Sequence, residues 1–133
     1  MTRCCHIMCG MIDGTKYKNE GSHFIMPNAV MFITFKLKEG ASVPDFLRTS
    51  ERLYDEVFSK EKGCISWKQL IDGETWADLL IWETMDDAKN SMDASETNSL
   101  VIEFCSFIDQ ESVKHHLFSV EKSYQVDLRP QPK

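Results

Sequence analysis

The chain has 133 residues, of which 42% are hydrophobic and 27% are charged, and its formal net charge is −6. This length and composition are typical of one globular domain that can bury a core without disulfides or metal. The acidic balance argues against nucleic acid or an anionic membrane as the main partner, because both need a basic surface. No apolar run approaches the roughly 20 residues of a membrane span. Five cysteines without a disulfide pattern predict a reducing, cytoplasmic location.

The first 28 residues lack helical or strand periodicity and are predicted to form a poorly ordered N-terminal extension. They contain a tight cluster of metal-ligating residue types, formed by Cys4, Cys5, His6 and Cys9. Structural zinc usually takes two separated pairs of ligands. Adjacent cysteines cannot easily reach one ion together with the next residue, so we predict that this cluster binds no structural metal.

The folded domain is predicted to span residues 29–126, followed by a polar, proline-broken tail at 127–133. It begins with an apolar strand, AVMFITFKLKEG, that suits burial on both faces. A helix follows in SVPDFLRTSERLYDEVFSKEKG, with Ser42 as its cap and Gly63 as its predicted stop. Its predicted apolar stripe consists of Val43, Phe46, Leu47, Leu53, Tyr54, Val57 and Phe58.

The second half of the domain repeats this order of elements. The stretch CISWKQLIDGETWADLLIWE predicts a hairpin that turns at Asp72 and Gly73. Thr84 can cap a second helix in TMDDAKNSMDA, and Asn98 can cap its continuation in LVIEFCSFID. The last predicted element is a long strand in SVKHHLFSVEKSYQV.

The order β-α-β-β-α-β predicts an α+β, ferredoxin-like fold, in which the helices cover one face of a four-stranded antiparallel sheet. The predicted strands are apolar on both faces, so the second face of the sheet also needs a cover. The simplest cover is a second copy of the chain, packed sheet against sheet. We therefore expect a homodimer.

Residues 29–126 resemble proteins of the antibiotic biosynthesis monooxygenase type, in the dimeric α/β-barrel superfamily. The resemblance rests on VMFITFKLKEG, KGCISWKQLIDGE and LLIWETMDDAKNSMDA. It implies an enzyme without flavin, haem or metal, in which an electron-rich phenol or quinol itself supplies electrons to dioxygen. The second helix lacks the histidine that many relatives carry. The haem-degrading branch carries an Asn on its first strand and a His and a Trp in its second helical region. Here the strand MFITFKL lacks the Asn, and NSLVIEFCSF lacks the His and the Trp, which argues against haem degradation.

Such chemistry needs an apolar pocket between helices and sheet, with one or two polar groups that deprotonate the substrate and hold its anion. His115 and His116 are adjacent on the last strand and must point to opposite faces. They are the candidate catalytic residues, since whichever one faces the pocket could act as a base. The candidate substrate-binding residues are Tyr54, Trp67, Asp78 and Trp82.

Three functions remain open at this point. The first is a cofactor-independent monooxygenase that acts on a small aromatic or quinol-like molecule. The second is a non-catalytic dimer that binds a small molecule or is associated with stress, and uses the same pocket without turnover. The third is an isomerase-like or decarboxylating enzyme of the same superfamily. The shape of the pocket and the polar atoms that line it distinguish these alternatives.

Overall fold

The computed structural model of the protein describes residues 27–126. The N-terminal cysteine cluster and the tail from 127 onward lie outside the described residues, so the predictions about them stay predictions. The elements in chain order are β1 (Ala29–Leu37), α1 (Val43–Glu56), a 3₁₀ turn (Phe58–Lys60), β2 (Cys64–Asp72), β3 (Thr75–Trp82), α2 (Met85–Ser95), α3 (Ser99–Cys105) and β4 (Ile108–Ser119).

The four strands form one antiparallel sheet in the order β2-β3-β1-β4. The chain leaves β1 through α1, adds the β2–β3 hairpin, and returns through α2 and α3 to β4 on the other side of β1. This is the split β-α-β topology, so the predicted ferredoxin-like α+β fold is confirmed. Strands β1 and β3 are central in the sheet, and every second side chain of each faces the helices.

Burial alternates along the central strands in step with the pleat of the sheet. In β1 the side chains of Met31, Ile33 and Phe35 are buried, whereas the intervening side chains are only partly buried. We predicted that this strand would be covered on both faces, and within residues 27–126 only the helical face is fully covered. The other face carries partly exposed apolar residues, including Leu70 and Phe118.

Phe46, near the start of α1, is the centre of the aromatic core. Its ring lies 5.2 Å from that of Trp76, 5.0 Å from that of Phe104 and 5.7 Å from that of Phe107, measured between centroids. Burying an aromatic side chain contributes about 1.5–3 kcal/mol, and edge-to-face ring pairs add about 0.5–1.5 kcal/mol. This cluster therefore fixes α1 and α3 over the sheet.

All three predicted helix caps are confirmed. The Ser42 hydroxyl accepts from the Asp45 N–H at 3.2 Å, and the Thr84 hydroxyl accepts from the Asp87 N–H at 3.1 Å. The Asn98 side-chain oxygen accepts from two backbone N–H groups at the start of α3. These short polar side chains satisfy donors that a helix start leaves without partners.

Several predicted boundaries and contacts were wrong. Helix α1 ends at Glu56 rather than near Gly63, because a 3₁₀ turn intervenes. The last strand starts at Ile108 and ends at Ser119, so it begins earlier and stops sooner than predicted. Three residues of the predicted apolar stripe are largely exposed because α1 overhangs the edge strand β2: Val43, Leu47 and Tyr54. Within residues 27–126, no helix is long and apolar enough to cross a membrane.

Candidate functional site

A groove of about 550 Å³ lies between α1 and the edge strand β2. Its α1 wall is formed by residues spaced three and four apart, which share one helix face. Its β2 wall is formed by Trp67 and Gln69, which are two residues apart and therefore point the same way. The lining residues are Pro44, Leu47, Arg48, Ser50, Glu51, Tyr54, Trp67 and Gln69.

The floor of the groove combines aromatic rings with a fixed polar pair. The Gln69 amide nitrogen donates to the Ser50 hydroxyl at 3.0 Å, and that hydroxyl donates to the Phe46 carbonyl at 2.8 Å. Trp67 packs edge-on against Phe58, with 5.1 Å between ring centroids. The groove thus offers a flat apolar surface beside oriented hydrogen-bonding groups, which suits a small aromatic ligand.

Asp78 lies directly behind this wall. It pairs across the strands with Gln69 on β2 and with Ile33 on β1, and its side chain is on the helical face of the sheet. The residue is only 5% exposed. Burial raises the pKa of its carboxyl group to about 7, an effect that the Trp67 indole N–H partly offsets.

Neither Asp78 Oδ1 nor Trp67 Nε1 makes a hydrogen bond of normal geometry to any group within residues 27–126. The effect of the indole on the carboxyl is therefore that of a nearby dipole rather than of a well-formed bond. Buried polar atoms are satisfied in the great majority of native sites. A buried carboxyl oxygen with no such bond, next to a groove, is a candidate for contact with a ligand.

The two histidines lie on opposite faces of β4, as adjacent strand residues must. His115 pairs with Ile33 and faces the helices, and both of its ring nitrogens are buried without a hydrogen-bond partner in the described part of the chain. Burial, and then the charge of His116, lower its pKa to about 4. His116 is exposed on the other face, where its ring stacks on Phe118 at 5.6 Å.

The structure brings only some of the predicted site residues together. Tyr54 and Trp67 line the groove and Asp78 lies behind it, whereas His115 lies on the far side of β1 from the groove. Trp82 is fully buried at the other end of β3, next to Phe58. Sequence reasoning missed Gln69 and Ser50. The one signal for Gln69 is a polar residue two positions after Trp67, on the same strand face.

Solved structures with this architecture come from several organisms. SnoaB, a cofactor-independent oxygenase from Streptomyces nogalater, matches with a TM-score of 0.61 at 11% identity, over 73% of this chain and 96% of that chain. A conserved protein from Methanosarcina mazei Go1 matches with a TM-score of 0.59 at 15% identity, over 71% and 93%. A proposed antibiotic biosynthesis monooxygenase from Bacillus cereus matches with a TM-score of 0.53 at 19% identity, over 76% and 98%.

This chain has the ferredoxin-like fold of these proteins. The predicted resemblance to antibiotic biosynthesis monooxygenases is thereby confirmed for the architecture. No protein-family model matches the sequence, and no curated protein matches it significantly. Because one fold can carry many activities, the chemistry has to be argued from the residues of the groove.

Proposed function

We propose that this protein is a cofactor-independent monooxygenase that acts on a small aromatic or quinol-like molecule. The observation that carries the proposal is the buried Asp78 carboxyl group behind the aromatic wall of the groove. The likeness of the fold to SnoaB supports it. The groove volume of about 550 Å³ is within the usual range of about 300–1,000 Å³ for small-molecule sites.

In this proposal the substrate lies in the groove with its ring against Tyr54 and Trp67. The hydrogen-bonded pair of Gln69 and Ser50 orients a polar substituent. The reacting hydroxyl must come within about 3 Å of Asp78 Oδ1 for proton transfer. Asp78 does not line the groove, whereas its cross-strand neighbour Gln69 and the nearby Trp67 do. In this proposal these two side chains must therefore shift for the substrate to reach the Asp78 carboxyl group.

Asp78 suits the role of base better than His115 does, and His116 lies on the sheet face away from the helices. A general base works best when its pKa is near the working pH, and burial brings the Asp78 pKa to about 7. The His115 pKa of about 4 makes its imidazole a weak base, and His115 is also remote from the groove. The catalytic roles predicted for His115 and His116 therefore stay predictions, and Asp78 is our preferred base.

The reaction needs no added reductant when the substrate carries an acidic CH₂ group, as an anthrone does. Asp78 takes one proton from the enol form, and the resulting anion gives its electrons to dioxygen and forms a peroxide at the ring carbon. Asp78 returns the proton to the peroxide, and loss of the remaining C–H proton with hydroxide leaves a carbonyl and one water. The sum is R₂CH₂ + O₂ → R₂C=O + H₂O.

The alternative is a non-catalytic protein of the same fold that binds a small molecule. One observation favours it: the core beside Asp78 is filled by buried side chains, including Leu80, Trp82 and Met92. Oxygen uptake and ligand-induced tryptophan fluorescence changes, measured on one panel of anthrones and quinols, separate the two functions. Fluorescence changes without any oxygen uptake would support the binding protein.

The proposal includes a homodimer built on the sheet face away from the helices. Phe32 and Leu79 pair at the centre of this face, and Leu70 and Phe118 lie 42% and 52% exposed nearer its edges. Burying apolar surface of this kind yields about 25 cal/mol per Å². A second copy presents the same strip of residues, so a two-fold arrangement covers both faces at once.

A further inference from the structure

A second, smaller concavity of about 130 Å³ lies between the turn that precedes β2 and one face of α2. Its lining residues are Glu61, Lys62, Asp87, Asn90, Ser91 and Ala94. The four residues from α2 occupy positions i, i+3, i+4 and i+7 of the helix and form one stripe. Among the described residues, this concavity and the groove have no lining residue in common.

The turn is held tightly against α2. Gly63 has φ +83°, and its carbonyl accepts from the Glu83 N–H at 2.7 Å. A Cβ atom at position 63 would collide with Asp87 Oδ2. Only glycine adopts this conformation freely and permits this approach. The turn that carries Glu61 is therefore packed directly against Asp87 of α2 before any ligand arrives.

The concavity carries excess negative charge. Its lining contains two carboxylates, Glu61 and Asp87, and one ammonium, Lys62, which leaves a formal charge of −1. The Asp87 side chain is 4% exposed, whereas the Lys62 side chain that pairs with it at 3.2 Å is 89% exposed. An exposed ammonium is screened by water and stabilises a buried carboxylate weakly.

Two oxygens in this concavity are available to a ligand. Glu61 Oε1 and Ser91 Oγ are buried, and neither makes a hydrogen bond within residues 27–126. Ser91 is only 4% exposed. Buried polar oxygens normally have partners. The neighbouring Cys64 is influenced by the same negative charge: burial raises the pKa of its thiol, and Glu61 raises it further.

We propose that this concavity binds a hard metal cation of the Ca²⁺ type. The ligands are side-chain oxygens of Glu61, Asp87, Asn90 and Ser91. Oxygen donors favour hard cations. The described part of the chain contains no group of three or more His, Cys, Asp or Glu residues suited to a metal ion, so the site depends on the neutral oxygens of Asn90 and Ser91 as well as on the two carboxylates. In the absence of the cation, the Lys62 ammonium group pairs with the Asp87 carboxylate. When the cation binds, Lys62 moves into solvent.

Calcium titration of the full-length protein by isothermal calorimetry tests this site. We expect one Ca²⁺ per chain, with a Kd on the order of 10⁻⁴–10⁻³ M because only two carboxylates contribute. Glu61→Gln should weaken binding at least tenfold, and Ser91→Ala should weaken it severalfold. Lys62→Gln should instead tighten binding severalfold, because it removes the competing ammonium. Asp93→Asn, which changes an exposed carboxylate on the same helix, should leave the affinity unchanged.

Absence of saturable binding up to about 10 mM Ca²⁺ would overturn the proposal. Buried water would then be the hydrogen-bond partner of Ser91 and Glu61. A Ca²⁺ affinity that is unchanged in both Glu61→Gln and Lys62→Gln would also overturn the proposal, because the ion would then be bound elsewhere. If a variant fails to fold, Mn²⁺ added to the wild-type protein decides the question by NMR. Selective broadening of the Asn90 and Ser91 amide signals supports the site, and uniform or distant broadening contradicts it.

Discussion

Asp78 and His115 lie on opposite sides of Ile33, each paired with it across a strand boundary, and both side chains face the helices. Burial acts on them in opposite senses. It raises the pKa of Asp78 to about 7 and lowers that of His115 to about 4. The two groups are therefore both predominantly uncharged between about pH 4 and pH 7.

This relationship predicts opposite pH dependences of stability. Between about pH 4 and pH 7 folded Asp78 holds a proton that the unfolded chain releases, so its contribution to stability falls as pH rises, by at most about 1.4 kcal/mol per pH unit. Folded His115 lacks a proton that the unfolded chain binds between about pH 4 and pH 6.5. Its contribution therefore rises with pH over this range.

Denaturant unfolding of single variants at several pH values separates the contributions of Asp78 and His115 to stability. Asp78→Asn should make the free energy of unfolding rise more steeply with pH than in the wild type, and His115→Gln should make it rise less steeply or fall. The wild type should lie between them. The same pH slope in all three proteins would show that neither group is perturbed by the fold.

The groove residues should affect substrate binding more than turnover. Tyr54→Ala and Trp67→Ala remove rings that contact the proposed substrate, and each should raise KM by roughly 5- to 30-fold, the equivalent of about 1–2 kcal/mol. Val43→Ala, on the same helix but outside the groove lining, is the matched control. A loss of kcat with unchanged KM in both ring variants would contradict the assigned role.

The free face of the sheet predicts the state of assembly. Analytical ultracentrifugation at micromolar concentration should find a dimer for the wild type and a monomer for Leu79→Glu, because a buried, unpaired carboxylate opposes association. Val43→Glu adds the same charge on the exposed side of α1 and should remain a dimer. A monomeric wild type, or a dimeric Leu79→Glu variant, would rule out this interface.

Gly63 and Gly40 form a matched pair for stability. Both have positive φ, +83° and +81°, but only at Gly63 would an added Cβ collide with a neighbour, Asp87. Thermal and chemical unfolding should show that Gly63→Ala costs about 3 kcal/mol or more, whereas Gly40→Ala costs about 1 kcal/mol, from the backbone conformation alone. Equal losses of stability in the two variants would mean that the turn can move away from α2 and that the contact between position 63 and Asp87 is not rigid.

Local signals in the sequence predicted the elements well. The caps Ser42, Thr84 and Asn98 and the turn at Gly73 depend on a few neighbouring residues, and the structure confirms them. Contacts between helices and strands were predicted less well, because they depend on residues that are distant in sequence. The apolar stripe of α1 predicted that Tyr54 would be buried, yet it is 47% exposed, because the sheet ends at β2 beneath it.

The candidate site was harder to predict for the same reason. Asp78 could be singled out by residue type, but its raised pKa arises from burial by elements that are distant in sequence. Strand parity placed one histidine on each face of the sheet, but which of the two meets the helices depends on the register between β1 and β4. Gln69 becomes informative only when Ser50 is seen to hold its amide.

The role of Asp78 as the base is tested by the pH dependence of oxygen uptake with an anthrone or quinol substrate and no added cofactor. We expect uptake whose kcat/KM rises with pH and levels off above about pH 7, as the Asp78 carboxyl ionises. Asp78→Asn should lower kcat/KM by roughly 10²-fold or more, while His115→Gln keeps the wild-type pH profile. Absence of uptake with every substrate would contradict the proposed oxygenase activity, and an Asp78→Asn variant with the wild-type rate and pH profile would show that Asp78 is not its base.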